Sequence, residues 1–445
     1  MIQKAFSKIM DKLGPYENKP HLAIAVSGGS DSMCLAILAK EWANSKGGKV
    51  SALIVDHGLR KSSKKECAKT KKELENRKII TRCFKWKLSK IPKNAVQEKA
   101  REFRYNIFEE WCFKKKIKNL LVAHHFEDQK ETFIMRLNNN SDIYGLACMP
   151  KVLLKKEIRI LRPMLDFNKK EIIKYLKQNK ISWIEDKTNS SSIYYRNRVR
   201  KVLPKLQEKG LTDKKLKKIL KRAQLERKRI ESNANKWLVK NVEVKDLGYV
   251  SINFSNLKLL SKDNFVFIFS KIINIVSGSF HITKSKYLNN LYNKINSKEN
   301  NKHTNIGGCH ILFEKNKLYV SREILKRNRE QKINFKFNKI IWDNRFEIKY
   351  KENNYFFLKK RLGKTLFIEQ LAKNGWNEVI KKNRKIKKKL SVPNKIILSL
   401  PAIKNKENHV LYVPHLKYYS SMEDKNEFSN INFIFKPFID ISNKY

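Results

Sequence analysis

Between the apolar run Leu22–Val26 and a stretch of helical spacing from Ser30 to Ala43 stands Ser27-Gly-Gly-Ser-Asp-Ser32. Two adjacent glycines let the backbone turn tightly and bring its N–H groups close to an anion. The helix N-terminus that follows adds a favourable dipole. Ser27, Ser30 and Ser32 carry hydroxyls that donate to phosphate oxygens. Asp31 is out of place in a pure anion nest unless it holds Mg2+ bridging the phosphates. Ser27, Gly28, Gly29, Ser30, Asp31 and Ser32 therefore form a candidate phosphate loop. The plainer alternative is a Ser/Asp cap after a glycine turn. No G-x-x-x-x-G-K-[ST] is present, so a P-loop kinase or ATPase is not indicated.

Other residues have the types and spacing for chemistry. Asp128 and Glu131 are three apart at a predicted helix start and face the same side, although acids also collect in first turns for dipole reasons. Arg196, Arg198 and Arg200 fall within five residues in a chain whose basic residues are overwhelmingly lysine. Arginine kept against that background suggests a need for its planar fork. Arg196 and Arg200 share a face if the segment is helical; the alternative is a solvated basic face. Asp56 follows the predicted strand Val50–Val55, where parallel sheets place ligand-binding groups. His57 beside it lines a nucleotide pocket or is structural. Arg101 and Arg104 lie on an amphipathic helix predicted over Ala95–Lys115 and face solvent, RNA or ATP. His124-His125 matches no helical zinc pair, and the six cysteines include no C-x-x-C, so neither zinc nor an Fe–S cluster is expected. Scattered cysteines read as reduced, cytosolic and mostly buried.

These residues need a scaffold, and the 445-residue length predicts two or three domains. Residues 21–145 alternate strand and helix patterns: strands at Leu22–Val26, Val50–Val55, Thr81–Lys85 and Leu120–Ala123, helices at Ser30–Ala43, Ala68–Arg77, Ala95–Lys115 and Glu127–Leu137. Such alternation predicts an α/β fold, a parallel sheet with helices on both faces. Asn168–Asn179 reads as a helix and Asp186–Asn197 as a polar loop. A charged helix over Asp213–Val239 connects to a mainly helical middle domain with strands at Tyr249–Phe254 and Lys317–Ser321. A small α+β C-terminal domain follows. The expected division is 1–205, 206–328 and 329–445.

Lys and Arg total 98 against 42 Asp and Glu, a net charge of +56. That suits a polyanionic partner such as nucleic acid, but the charge is spread along the chain and the glycine-poor, lysine-rich composition also fits an AT-biased genome. No run reaches the ~18 apolar residues of a membrane span; Phe265–Val276 is short and contains Lys271. No signal peptide is read at the N-terminus, and the expected location is cytoplasmic.

S-G-G-x-D-S after a first strand resembles the PP-loop of the N-type ATP pyrophosphatases. Further stretches resemble the tRNA(Ile)-lysidine synthetases among them. Val55-Asp-His-Gly-Leu-Arg60 is similar to that family's D-H-G-L-R. The segment from Asn94 to Tyr105 is similar to its N-x-x-x-x-A-R-x-x-R-Y helix. Ala123-His-His-Phe-Glu-Asp-Gln-Lys-Glu-Thr132 matches A-H-H-x-x-D-Q-x-E-T. Arg162-Pro163 opens the R-P-L/M-L segment, and Glu185–Asn189 with Tyr195–Arg200 resembles E-D-x-S/T-N followed by R-N-x-x-R. These motifs occur in family order over residues 21–204; beyond 330 the likeness is faint.

The resemblance implies an adenine nucleotide alpha hydrolase-like domain and a ligase. ATP, with Mg2+ tentatively on Asp31, would adenylate C2 of the wobble cytidine in an isoleucine tRNA with a CAU anticodon. Free lysine would then displace AMP, changing the codon read from AUG to AUA. Asp31, Asp128, Glu131 and Arg200 would be catalytic. Ser27 to Ser32 and Asp56 would bind ATP, while Asp128, Glu131, Arg196, Arg101 and Arg104 would hold lysine or tRNA. Two carboxylates can hold a lysine ammonium and accept its proton, and Arg196 with Arg200 can clamp a phosphate. The later domains would grip tRNA; the oligomeric state stays open, a homodimer being one option. One departure stands out: Asn138–Asp142 replaces the family's R-G-S-G, which puts that loop's flexibility and RNA contacts in doubt. The rival readings are a PP-loop tRNA thiolase, which usually needs catalytic cysteines, and a non-catalytic RNA-binding protein on a decayed scaffold.

Overall fold

The computed structural model describes residues 2–56, 58, 62–86, 96–155, 158–185, 195–279, 283–297, 303–314, 316–324, 331–332, 339–349, 366–388 and 390–437. The chain divides into two compact units, Met1–Lys228 and Arg229–Tyr445.

The first unit runs α1 (Ile2–Lys12), β1 (His21–Val26), α2 (Ser30–Ser45), β2 (Lys49–Asp56), α3 (Ser63–Asn76), β3 (Ile80–Lys85), α4 (Val96–Lys114), β4 (Asn119–Leu121), α5 (Phe126–Asn138), α6 (Ile143–Leu146), β5 (Val152–Lys155), β6 (Ile158–Leu161), α7 (Lys169–Gln178) and α8 (Tyr195–Glu208), and α9 (Asp213–Asn241) leads out of it. The sheet order is β3-β2-β1-β4-β6-β5. Only the β5–β6 pairing is antiparallel.

Side-chain alternation sorts the strands between two cores. Leu22, Ile24 and Val26 of β1 and Val50, Ala52 and Ile54 of β2 pack with α1, α2 and α7 on one face. Ala23, Leu53, Leu120 and Ile160 pack with Phe108 and Cys112 of α4 on the other. Because α2 is covered nearly all round, Met33 to Ala39 is apolar without a polar stripe. The helices on both faces match the expected α/β layering. Three parts went unread in the sequence: α1 and the hairpin β5–β6 were not assigned, and α8 begins at Tyr195, inside the expected polar loop.

The second unit opens on a five-stranded antiparallel sheet, in addition to the helices expected there. Its strands are β7 (Val242–Lys245), β8 (Tyr249–Asn253), β9 (His303–Ile306), β10 (Cys309–Glu314) and β11 (Lys317–Arg322), in the order β7-β8-β11-β10-β9. Helix α10 (Phe254–Leu257) follows β8, and α11 (Lys262–Ser277) and α12 (Ser285–Asn296) cover the sheet. The remainder holds a second sheet and a three-stranded ribbon that share the core residues Trp342, Phe346, Ile368, Ile403 and Tyr412. Both are small and antiparallel.

A buried charge cluster ties these parts together. Asp343 accepts Arg322 Nε at 2.9 Å, Arg322 Nη2 at 3.2 Å and Arg345 Nε at 3.0 Å. Arg345 is fully buried, and its guanidinium lies 5.2 Å from the Phe346 ring centre and 5.7 Å from that of Trp342. Burial pulls its pKa down to about 10, against the opposing pull of Asp343. Gly308, at φ +79°, makes room for the cluster: a Cβ there would meet Arg322 Nη1 at 2.6 Å.

Candidate active site

Four parallel strands of the first unit end side by side, and the candidate residues lie at or just beyond their ends: Asp56 at the end of β2, 27–32 after β1, 122–131 after β4 and 162–169 after β6. This is the edge of a parallel sheet where ligands bind.

The phosphate loop is held by its own hydroxyls. Ser32 Oγ accepts Ser27 N–H at 3.2 Å and donates to Gly29 O at 2.9 Å. The Ser32 hydroxyl is thus spent inside the loop, whereas Ser30 and Asp31 take an outside partner. Gly28 sits at φ +86°, and a Cβ there would lie 2.4 Å from Thr70 Oγ1 of α3. Gly29 has an ordinary φ of −70°, and a Cβ there meets nothing nearer than Ser27 Oγ at 3.6 Å.

Asp31 is the centre of a charge network. Lys169 Nζ donates to its Oδ1 at 2.5 Å and to Ser30 Oγ at 2.7 Å. His125 Nε2 is 3.5 Å from Asp31 Oδ2 and 3.7 Å from Asp128 Oδ2, and its Nδ1 is 2.8 Å from Glu127 Oε2. Glu127 Oε2 also accepts Lys169 N–H at 3.0 Å, at the start of α7. Burial alone would lower the His125 pKa, but hydrogen bonds to Asp31 and Glu127 overcome it and lift the value to about 9. Burial works to raise the Asp31 carboxyl, yet His125 and Lys169 hold it below the ordinary carboxylate range. Glu127 is depressed in the same way: burial is overcome by His125 and Lys130. At neutral pH His125 is therefore an imidazolium set against the Asp31 and Glu127 carboxylates.

Both readings of Asp128 have support. Its Oδ2 accepts His125 N–H at 3.0 Å, closing a capping box on α5, and it also faces the imidazole that reaches Asp31. Glu131 is buried, and its Oε1 accepts Arg200 Nε at 2.5 Å. Arg200 lies on α8, which begins at Tyr195, so Arg196 is on the same helix rather than in the expected loop; the side chain of Arg196 is outside the described residues. So are His57 and the segments 87–95 and 186–194 of the motifs. Asp56 Oδ1 accepts Gly58 N–H at 3.0 Å. On α4, Arg101 is exposed, 5.1 Å from the Tyr105 ring centre, and Arg104 is half-buried with its pKa lowered by burial.

Sequence reasoning missed Lys169 and gave His125 no role. A lysine carries no signal in a lysine-rich chain, but its position at the start of the helix after Arg162-Pro163 does. Arg162 itself is buried, donating to Pro150 O at 2.9 Å and to His124 Nδ1 at 3.3 Å. Among the described residues no group of three or more His, Cys, Asp or Glu is arranged to hold a metal ion.

Comparison with known proteins bears on what this network serves. The PP-loop domain family matches residues 1–206. The tRNA(Ile)-lysidine synthase of Orientia tsutsugamushi (strain Boryong) is 28% identical over 448 residues, 98% of this chain and 97% of the relative. That of Rickettsia felis is 32% identical over 406 residues, 90% of each. This chain belongs to the tRNA(Ile)-lysidine synthase family. A solved U34-tRNA thiolase from Methanococcus maripaludis with its 4Fe-4S cluster superposes at a TM-score of 0.42 with 18% identity, over 52% of this chain and 79% of that one, too distant to bear on function.

The segment 138–142, where the sequence departs from the resembled pattern, is built as follows. Asn140 takes φ +50°, the left-handed region that asparagine tolerates best after glycine. Asp142 caps α6 by accepting Gly145 N–H at 2.8 Å, and Arg136 Nη1 donates to Gly145 O. The loop thus has a left-handed turn at Asn140 and an anchored exit at Gly145.

Proposed function

We propose that this chain is a tRNA(Ile)-lysidine synthase: an ATP-dependent ligase that joins free lysine to C2 of the wobble cytidine of a CAU-anticodon isoleucine tRNA. The observation that carries this reading is the His125 bridge. It links Asp31 of the phosphate loop to Asp128 of the A-H-H-x-x-D-Q-x-E-T segment, in a chain aligned almost end to end with lysidine synthases.

ATP lies with its phosphates on residues 27–32, against the loop N–H groups and the start of α2. Lys169 exchanges Asp31 for phosphate oxygens and offsets charge on the departing pyrophosphate. Asp31 is the residue that would hold Mg2+, which would supply charge neutralisation of the phosphates. The cytidine O2 attacks the α-phosphorus, and the bond to the β-phosphate breaks. Asp128 and Glu131 then receive the lysine ammonium, one carboxylate takes its proton, and the amine attacks C2 as AMP leaves. Arg200 orients the Glu131 carboxylate, and its positive charge offsets that of the α-phosphate. Asp56 sits at the adenosine side of the pocket. Arg101, Arg104 and Arg196 meet the tRNA backbone, and the domains beyond about residue 206, with their excess of lysine, grip the rest of the tRNA.

The test is nucleoside mass spectrometry of unmodified tRNA(Ile) incubated with protein, ATP and lysine. Cytidine bearing one lysine in place of O2 supports the reading. A sulfur-bearing base would turn it to a thiolase, and an unchanged base with bound tRNA would leave the decayed scaffold.

A further inference from the structure

The sulfurs of Cys67 on α3 and Cys83 on β3 are 3.3 Å apart. Both thiols are free. Cys83 is exposed and Cys67 half-buried, whereas Cys34, Cys112, Cys148 and Cys309 are buried. In sequence the two are sixteen residues apart and form no motif; the strand–helix crossover brings them together. We propose that Cys67 and Cys83 are an oxidation site, converted by a hydroperoxide to a disulfide that pulls α3 against β3 and distorts the phosphate loop.

The path to the loop is short. Cys67 and Thr70 are three apart on α3 and share a face. Thr70 is buried, and its Oγ1 is the atom that leaves no room for a Cβ at Gly28. A disulfide needs sulfurs ~2.05 Å apart, so the pair must close by about 1.2 Å. Strand β3 is paired to β2 along its whole length, Ser51 with Ile80 through to Asp56 with Lys85. The helix is therefore the part that moves, and Thr70 moves with it.

The chemistry divides by exposure. Burial and the adjacent Cys83 push the Cys67 thiol up to about 12, so the exposed Cys83 reacts first. Its thiolate attacks a peroxide oxygen, the O–O bond breaks, and with hydrogen peroxide one water leaves, giving a sulfenic acid. Cys67 sulfur then attacks Cys83 sulfur, the S–O bond breaks, and a second water leaves with the Cys67 proton. Two thiols lose two electrons and two protons to one peroxide.

The experiment treats full-length protein, Cys67→Ser and Cys83→Ser with hydrogen peroxide. It follows peptides by non-reducing mass spectrometry and ATP binding by calorimetry. The expected result is a Cys67–Cys83 cross-linked peptide with the other four cysteines still reduced. ATP affinity falls roughly tenfold, as for an ångström-scale misplacement, and dithiothreitol restores it. Neither serine variant forms the cross-link or loses affinity, and both bind ATP like wild type when untreated. Sulfinic Cys83 without a cross-link overturns the proposal, as does a cross-link that leaves ATP affinity unchanged. Reduced protein that fails to bind ATP would instead count against the ligase reading, while the cross-link still reports on the cysteine pair.

Discussion

Two charge clusters in this molecule use the same side-chain chemistry for opposite ends. At the end of the parallel sheet, Asp31 is paired with Lys169 and His125, and about a third of the side chain is open: 29% for Asp31 and 39% for Lys169. In the second unit, Asp343 is paired with Arg322 and Arg345, whose side chains are 6% and 0% exposed. The open cluster uses a flexible ammonium that a phosphate can draw away. The buried cluster uses rigid guanidinium groups, seated beside Gly308 and against aromatic rings, that nothing can displace. Burial and the choice of cation, rather than the presence of charge, separate a site from a scaffold.

The sharpest way to break this contrast is Asp343→Asn. It leaves two buried arginines without their carboxylate and is expected to destabilise the second unit by about 3–5 kcal/mol, read as a fall in the denaturant midpoint. Should stability hold, the buried cluster is not a scaffold. Asp31→Asn is expected to keep the thermal midpoint near wild type while lowering pyrophosphate release ~100-fold or more. Gly28→Ala forces a side chain into the left-handed region and against Thr70. An ATP KM raised ~10-fold is expected from a misplaced loop, with Gly29→Ala close to wild type because its φ and surroundings accept a methyl group. Equal effects in steady-state kinetics would contradict the loop geometry.

The smallest expected effect concerns pH. His125 has a folded pKa of about 9, above its ordinary 6.5. Its stabilising charge is therefore fully present below 6.5 and is lost as pH rises through about 9. Asp31 and Glu127 are depressed, so their contribution is present above their ordinary values and is lost as pH falls into the acid range. Thermal midpoints of wild type should decline from about pH 6.5 to about pH 9, and His125→Gln should flatten that decline. A variant that declines as steeply as wild type removes His125 from the network.

Much of this was legible in the sequence because the first unit obeys local rules. Strand–helix alternation marked β1 to β4 and α2 to α5, and the scarce glycines at 28 and 29 marked the loop. Arg200 was visible because arginine is rare here. Lys169 was not, since its identity is the commonest in the chain and its partners are 138 and 139 residues away. Apart from its place in the A-H-H-x-x-D-Q-x-E-T match, His125 was read as a failed zinc ligand, because its role depends on carboxylates at the starts of α2 and α5 that meet only after folding. Strands β5 and β6 are four residues each, too short for a period to show. Asp343 and Arg345 carried no motif, and their importance comes wholly from burial.

The account rests on the open cluster doing the chemistry. The direct measurement is tRNA- and lysine-dependent pyrophosphate release by wild type, Asp31→Asn and Asp343→Asn, each normalised to folded protein. The expected result is release lost in Asp31→Asn and retained by the folded fraction of Asp343→Asn. Release that survives Asp31→Asn would contradict the assignment of the phosphate loop.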